Sequence, residues 1–235
     1  MRYAVFFTPP PDHPLTIEAS SWLGRDAYTG KAVTRPAVEG LTADEIARLT
    51  AEPCRYGFHA TLKAPFRLAE GLGEDEFCEG FRRLAPKIEP VADLTLAVGR
   101  LGPFFALVPS GPSQELDRLA GDVVRVFEPF RAPLGDDEIA RRNPDRLTER
   151  QRRNLAGWGY PYVFDDFRFH MTLTGPVADT DAAQIEKILD DRFGQFLRTP
   201  LAVSALSLFI EPRPGAPFTV KASAAIGGAA RRNSD

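Results

Sequence analysis

Two short stretches of the chain alternate apolar and polar positions in the same way. Residues 58–62 read Phe-His-Ala-Thr-Leu, and residues 169–173 read Phe-His-Met-Thr-Leu. Alternation with a period of two, in segments rich in aromatic and β-branched residues, predicts strands. Because side chains two positions apart along a strand share a face, each strand is expected to bury its apolar side chains and to present a histidine and a threonine together on the other face.

The rest of the pattern mixes further strands with amphipathic helices. Alternation predicts strands over residues 2–8, 55–63, 93–99, 104–108, 167–174, 201–210 and 218–224. Apolar positions at helical spacing, together with N-cap residues, predict helices over residues 18–25, 42–52, 74–84, 113–127, 148–155 and 181–192. Each motif strand is followed by a helix and then two strands, and this order predicts an α+β fold of two similar lobes.

The two motif histidines carry the candidate chemistry. The chain has three histidines, and two of them, His59 and His170, occupy matching positions 111 residues apart. An imidazole titrates near a pKa of roughly 6.5, so one ring can take a proton from water while the other gives a proton to a leaving oxygen. The hydroxyls of Thr61 and Thr172 are predicted to hold the non-bridging oxygens of a phosphodiester. The remaining histidine, His13, lies in a proline-rich loop, so no metal site is expected.

The same alternation adds two cations to the predicted site. Lys63 follows Thr61 by two positions and Arg168 precedes His170 by two, so both side chains are predicted to share the polar face and to bind substrate phosphate. For Lys63, a solvated position at the strand end is the alternative. Residues 131–153 contain seven arginines and five acidic residues. Two interpretations of this segment stay open: a solvated helical face with internal ion pairs, or a lid that supplies an arginine to a second phosphate.

Composition narrows the setting in which this chemistry would occur. The formal net charge of −3 argues against an extended electrostatic surface for binding long nucleic acid. A small phosphorylated substrate or an RNA end is the expected partner. The two cysteines, Cys54 and Cys78, are too few for a disulfide framework and are expected to be reduced. The N-terminal apolar run is too short for a signal peptide and no run could span a membrane, so a cytoplasmic location is expected. No cofactor is expected, and the oligomeric state is left open.

The extended motifs resemble a known family. From residue 55 the chain reads Arg-Tyr-Gly-Phe-His-Ala-Thr-Leu-Lys, and from residue 167 it reads Phe-Arg-Phe-His-Met-Thr-Leu-Thr-Gly. These strings resemble the signature of the two-histidine phosphoesterase superfamily, which includes the LigT-like RNA ligase and cyclic phosphodiesterase proteins. They look like its branch found with bacterial phosphonate-utilisation operons. The resemblance implies a bilobal fold with pseudo-two-fold symmetry, in which two antiparallel sheets flank a central cleft and helices lie outside. A single domain is expected over residues 1–226, followed by a flexible tail over residues 227–235.

Motifs and resemblance together predict a metal-independent cyclic phosphodiesterase. His59, Thr61, His170 and Thr172 match the family's motif one by one, and the expected substrate is a small phosphorylated ribose or nucleotide, or an RNA terminus. The branch resemblance adds a role in phosphonate metabolism. Which histidine is the base remains open. Two other functions also remain open: a non-catalytic nucleotide or RNA-end binding module that uses the same cleft, and ligation at an RNA end by the same residues.

Overall fold

The computed structural model describes residues 1–228 of the chain. The strands are β1 (Arg2–Phe7), β2 (Ala60–Phe66), β3 (Val91–Leu94), β4 (Leu96–Leu101), β5 (Phe104–Pro109), β6 (Met171–Thr172), β7 (Leu201–Val203), β8 (Ala205–Glu211) and β9 (Thr219–Ala225). The α-helices are α1 (Pro14–Leu23), α2 (Ala43–Leu49), α3 (Ala51–Tyr56), α4 (Glu74–Leu84), α5 (Gln114–Phe127), α6 (Asp136–Ala140), α7 (Glu149–Trp158) and α8 (Ala182–Phe193). Within the described residues, no helix has both the length and the apolar character needed to cross a membrane.

The strands form two antiparallel sheets, so the predicted α+β class is confirmed. The strands divide unequally between the sheets: seven lie in the order β4-β5-β6-β2-β1-β8-β9, and β3 pairs with β7. The two motif strands are neighbours in the large sheet, where Ala60 pairs with Met171. Adjacent antiparallel strands are related by a local two-fold axis, which is the symmetry expected of the two motifs. The large sheet is therefore continuous across the site.

The core lies on the apolar face of the motif strands. Ala60, Leu62, Met171 and Leu173 are all buried, as the alternation predicted. Further apolar side chains from the predicted inward faces of the helices complete this core, and they include Phe77 and Phe81 of α4 and Leu116, Leu119 and Val123 of α5. The opposite face of the same two strands is left for the polar side chains.

Both motif strands are shorter than the sequence predicted. In the first motif, α3 extends to Tyr56 and ends at Gly57, whose φ of 76° is one that glycine adopts without strain. Pro53 does not stop this helix because it lies in the first turn, where its missing N–H has no intrahelical partner to lose. In the second motif, the backbone N–H groups of Leu173 and Thr174 both donate to the carbonyl oxygen of Phe105, and the ladder ends there.

Two other predicted strands are each divided in two. The segment predicted over residues 93–99 splits at Thr95 into β3 and β4, which belong to different sheets, and residues 201–210 split in the same way at Ser204. At the C-terminus, the backbone N–H of Gly227 donates to the carbonyl oxygen of Ile88 at 2.8 Å, so the chain is still packed where the flexible tail was predicted to begin. Residues 229–235 of that predicted tail lie outside the described residues.

Candidate active site

The polar face of the motif strands forms the floor of a cleft of about 400 Å³. His59, Thr61, His170 and Thr172 all line this cleft, although the two motifs are 111 residues apart. The pairing of β2 with β6 brings them together, because each histidine stands immediately before the strand that carries its threonine. The four residues predicted from the paired motifs thus share one cavity.

His59 is held in one orientation because both of its ring nitrogens are hydrogen-bonded. Nδ1 lies 2.9 Å from the carbonyl oxygen of Gly57, and Nε2 lies 3.2 Å from Thr61 Oγ1. A carbonyl oxygen only accepts, so Nδ1 carries the proton of the neutral ring and Nε2 is left with its electron pair toward the cleft. The Phe6 ring stacks on the imidazole with centroids 4.0 Å apart, and the Tyr56 ring lies at 5.8 Å.

This packing keeps His59 neutral. Burial lowers the pKa of His59 to about 4; the hydrogen bond to Gly57 opposes the shift, and the nearby charge of His170 adds to it. Removing a charged imidazole from water is costly, which is why the neutral form is favoured between aromatic rings. At neutral pH the ring is therefore able to accept a proton at Nε2.

His170 is anchored by the same local device. Its Nδ1 donates to the carbonyl oxygen of Arg168 at 2.8 Å, again two residues earlier in the chain, so Nε2 carries the electron pair of the neutral ring here too. The hydrogen bond of His170 is exposed to solvent, whereas that of His59 is partly buried. Phe104 is the aromatic neighbour of His170, with ring centroids 5.9 Å apart. The two imidazoles are thus presented alike but differ in their access to water.

The prediction that Lys63 shares the face of His59 and Thr61 is wrong. The register of β1 on β2 passes from Phe6–Thr61 to Val5–Lys63, so β2 carries one extra residue. Such a β-bulge reverses the alternation beyond it. Lys63 consequently points away from the cleft and is only 3% exposed.

The Lys63 ammonium is neutralised on the side of α5. Its Nζ donates to Glu128 Oε2 at 2.7 Å and to the carbonyl oxygen of Val124 at 3.2 Å. Burial lowers the pKa of Lys63, and the hydrogen bond to Glu128 opposes that shift. The alternative of a solvated lysine at the strand end is excluded as well, since Lys63 has a structural ion pair in the interior.

Arg168 lies beside His170, but not between the two histidines. Its exposed side chain lines an adjoining groove of about 520 Å³, which also contacts His170, Thr61 and Tyr160. The backbone of Arg168 is the part that contacts the motif directly, through the carbonyl oxygen that orients His170. A contact from its guanidinium to substrate phosphate remains a prediction.

Several cleft residues were not among the predicted site residues. They include Arg2, Glu52, Tyr56, Phe104, Arg142 and Tyr160. Alternation in β5 offered one signal: because Phe105 is fully buried in the core, its neighbour Phe104 has to face the other way. No comparable pattern distinguishes Arg142 from the other arginines of its segment.

Arg2 contributes little free positive charge to the cleft. Glu211 is fully buried and accepts from Arg2 Nε and, at 2.6 Å, from Arg55, while the Gly215 N–H also donates to it. These hydrogen bonds from the arginines lower the pKa of Glu211 against the raising effect of its burial, so the carboxylate is ionised. The arrangement ties β1, α3 and β8 together behind the His59 ring.

Among residues 1–228, no group of three or more His, Cys, Asp or Glu side chains is arranged to hold a metal ion. The polar groups of the cleft are imidazoles, hydroxyls, guanidinium groups and a single carboxylate, that of Glu52. The imidazoles, hydroxyls and guanidinium groups donate or accept protons and contact anions. The arrangement therefore suits an anionic ligand that exchanges protons with the protein.

A family model described as "Protein of unknown function (DUF1045)" matches residues 61–219, which is well over half of the chain. The chain belongs to the DUF1045 family. The matched range contains the whole second motif, but it begins at Thr61 and so leaves out His59. Membership of this family does not by itself state an activity.

Two curated relatives share the same printed name, "Ribose 1,5-bisphosphate phosphokinase PhnN". The one from Janthinobacterium sp. (strain Marseille) is 40% identical over 221 residues, covering 92% of this chain and 49% of the relative. The one from Laribacter hongkongensis (strain HLHK9) is 37% identical over 220 residues, covering 93% of this chain and 50% of the relative. The DUF1045 chain thus spans about half the length of these relatives.

Two solved structures are similar over almost the whole chain at low identity. Escherichia coli LigT complexed with NADP+ aligns with a TM-score of 0.40 and 14% identity, covering 96% of each chain. A crystal structure of a phosphoesterase aligns with a TM-score of 0.38 and 14% identity, covering 96% of this chain and 98% of the other.

Proposed function

We propose that this DUF1045 protein is a metal-independent phosphoesterase that hydrolyses a cyclic phosphodiester on a ribose, a nucleotide or an RNA end. The observation that carries the proposal is the pairing of two imidazoles across one cleft. Each is fixed through Nδ1 by a backbone carbonyl, which leaves the electron pair on Nε2, and each has a threonine two residues later in the same cleft. A pure binding site needs hydrogen-bond donors but no such pair of titrating groups.

The reaction divides between the two rings. His59, neutral and partly buried, serves as the base: its Nε2 takes a proton from a water molecule as the water oxygen attacks phosphorus. The bond from phosphorus to the ribose oxygen breaks, and His170, acting in its protonated form, gives its Nε2 proton to that oxygen. The product is a phosphomonoester. Each proton transfer is worth roughly 10²–10⁴-fold in rate.

The threonines stabilise the charge that develops on phosphorus oxygens. Thr61 Oγ1 is hydrogen-bonded to His59 Nε2 at 3.2 Å. Substrate would replace this contact: the attacking water takes the place beside Nε2, and the Thr61 hydroxyl turns to a non-bridging oxygen. Thr172 does the same from the other motif. A hydroxyl donor held close to each developing charge stabilises the transition state.

For the substrate, we propose a ribosyl phosphate within phosphonate metabolism. The curated relatives are named for ribose 1,5-bisphosphate, which is a phosphorylated ribose. Their kinase activity is not proposed for this chain. Its single Gly-Lys pair, Gly30-Lys31, has Arg25 and Ala32 where a phosphate-binding loop of the G-x-x-x-x-G-K-S/T kind requires glycine and serine or threonine. We place the enzyme in the cytoplasm, which agrees with its two free cysteines.

The proposal is tested with a substrate panel. Purified protein is treated with a chelator and incubated with 2′,3′-cyclic nucleotides, a ribose cyclic phosphate and a short RNA that ends in a cyclic phosphate. We expect chelator-resistant hydrolysis of at least one class to a phosphomonoester. Tight binding of a panel member without turnover would instead favour the binding module, and turnover abolished by the chelator and restored by a metal would contradict the mechanism.

A further inference from the structure

We infer that Arg142 binds a second phosphate of the substrate, so that the enzyme selects a cyclic phosphodiester that also carries a phosphomonoester. This inference rests on the proposed function and specifies its substrate class. It concerns the arginine-rich segment, for which the sequence left a solvated face and a phosphate-binding lid as alternatives.

Most arginines of this segment are already engaged. Arg150 contacts Asp166 at 2.6 Å, Arg131 contacts Glu128 at 2.6 Å, and Arg153 contacts Glu149 at 3.4 Å. Arg152 donates to the carbonyl oxygen of Leu147. For these residues the interpretation as internal ion pairs and helix contacts is the correct one.

Arg142 differs in both position and pairing. It lines the cleft that holds the two histidines, and within residues 1–228 its side chain has no carboxylate partner at ion-pair distance. Its guanidinium carbon lies 5.1 Å from the centroid of the Tyr160 ring, which also lines the cleft. A guanidinium is planar and presents paired N–H groups that suit two oxygens of a phosphate, and contact with an aromatic ring restricts its orientation.

The backbone around Arg142 is fixed. Arg142 follows α6, and its N–H donates to the carbonyl oxygen of Ile139 at 3.0 Å. Asn143 then adopts a left-handed conformation, with φ of 47°, before the turn at Pro144. Asparagine tolerates this conformation better than most residues with a side chain. The arginine is therefore presented from a defined turn.

The pairing of the charged side chains in the cleft leaves Arg142 open to an anion. Arg2 is neutralised by buried Glu211, and Glu52, the exposed carboxylate that also lines the cleft, is not at ion-pair distance from Arg142. The half-buried guanidinium of Arg142 would be stabilised by a dianionic group such as a phosphomonoester. The scissile phosphate has its own ligands in the two motifs, so Arg142 is assigned to a second phosphate.

The test compares two substrates that differ only in a second phosphate. Ribose cyclic phosphate and its 5-phosphorylated form are hydrolysed by wild type, Arg142→Gln, Arg142→Lys and Arg146→Gln. Arg146 is a matched control because it is an exposed arginine of the same segment that does not line the cleft. Thermal unfolding of each variant confirms that it is folded.

We expect wild type to prefer the 5-phosphorylated substrate in kcat/KM. Arg142→Gln should lose about 10- to 100-fold on that substrate, the range for one charge-assisted contact, and little on the unphosphorylated one. Arg142→Lys should recover part of the loss, and Arg146→Gln should behave as wild type. Equal losses on both substrates would place Arg142 at the scissile phosphate, and no loss on either would show it to be a surface residue; both results overturn the inference. Failure of wild type to hydrolyse any panel member would instead count against the proposed function.

Discussion

At the scale of single residues, the site depends on how the backbone holds two imidazoles. In each motif the ring donates through Nδ1 to a carbonyl oxygen two residues earlier, which fixes the tautomer and directs Nε2 into the cleft. What separates the two rings is their surroundings. His59 stacks on Phe6, while the hydrogen bond of His170 faces solvent. The assignment of His59 as base follows from this difference.

The depressed pKa of His59 makes the stability of the protein depend on pH. The folded pKa of about 4 lies below the unfolded value of roughly 6.5, so the unfolded chain binds more protons between these values. The stabilisation that His59 gives to the folded state is fully present above about pH 6.5. As pH falls toward 4, the free energy of unfolding decreases on this account by on the order of 1–3 kcal/mol.

This dependence is measured by urea unfolding at several pH values between 4 and 7. We expect the free energy of unfolding to rise with pH more steeply in wild type than in His59→Asn, because asparagine does not titrate. Equal slopes for the two proteins would show that His59 is not held neutral by its surroundings.

Lys63 shows why alternation alone could not complete the site. The pattern correctly placed Thr61 in the cleft and Leu62 in the core. One extra residue in β2 between Thr61 and Lys63 then reversed the face on which Lys63 lies, and a second register shift follows before Phe66. Such bulges are set by the pairing of β2 with β1, which lies more than fifty residues earlier. The same limit applies to Arg142, whose location depends on how its segment folds over the cleft.

At the scale of elements, the ion pair between Lys63 and Glu128 joins β2 to the end of α5. Glu128 also accepts from Arg131, so its carboxylate balances two cations. Removing the acid would leave a buried ammonium unpaired, which costs about 3 kcal/mol or more. Removing the lysine would leave the acid with its second partner.

Two variants separate this structural role from a role in substrate binding. Glu128→Gln should lower the free energy of unfolding by about 3 kcal/mol, whereas Lys63→Met should lower it less and keep kcat/KM within about threefold of wild type. Urea unfolding and turnover are measured on the same preparations. Loss of turnover in Lys63→Met at unchanged stability would show that Lys63 does contact the substrate.

Helix starts at a serine or threonine N-cap were predictable because their chemistry is local, whereas α1, predicted from residue 18, begins at Pro14. Thr42, Ser113 and Thr148 each cap the helix that the sequence assigned to them, and each accepts from the backbone N–H three residues later. Strand ends depend on distant partners. The second motif strand shrinks to two residues because Leu173 and Thr174 both donate to Phe105, and nothing near them in the sequence indicates that contact.

At the scale of the whole molecule, the two motifs are joined by one sheet and one core. Leu62 and Met171 belong to the same buried cluster, and Trp22 of α1 donates from Nε1 to the carbonyl oxygen of Leu173 at 2.8 Å. Local patterns gave the elements and the facing side chains, but the closeness of two motifs 111 residues apart came from the family resemblance alone. The closeness of the motifs depends on the order of the strands in the sheet, and short-range periodicity in the sequence does not indicate that order.

The central claim is that His59 and His170 act together on one phosphodiester. The most direct test measures kcat for wild type, His59→Asn, His170→Asn and the double variant on the best panel substrate, with thermal unfolding as the control for folding. Each single variant should lose roughly 10²–10⁴-fold, and the double variant should lose less than the product of the two, because residues that act in one transition state are not additive. Turnover at the wild-type rate in either single variant would contradict the claim.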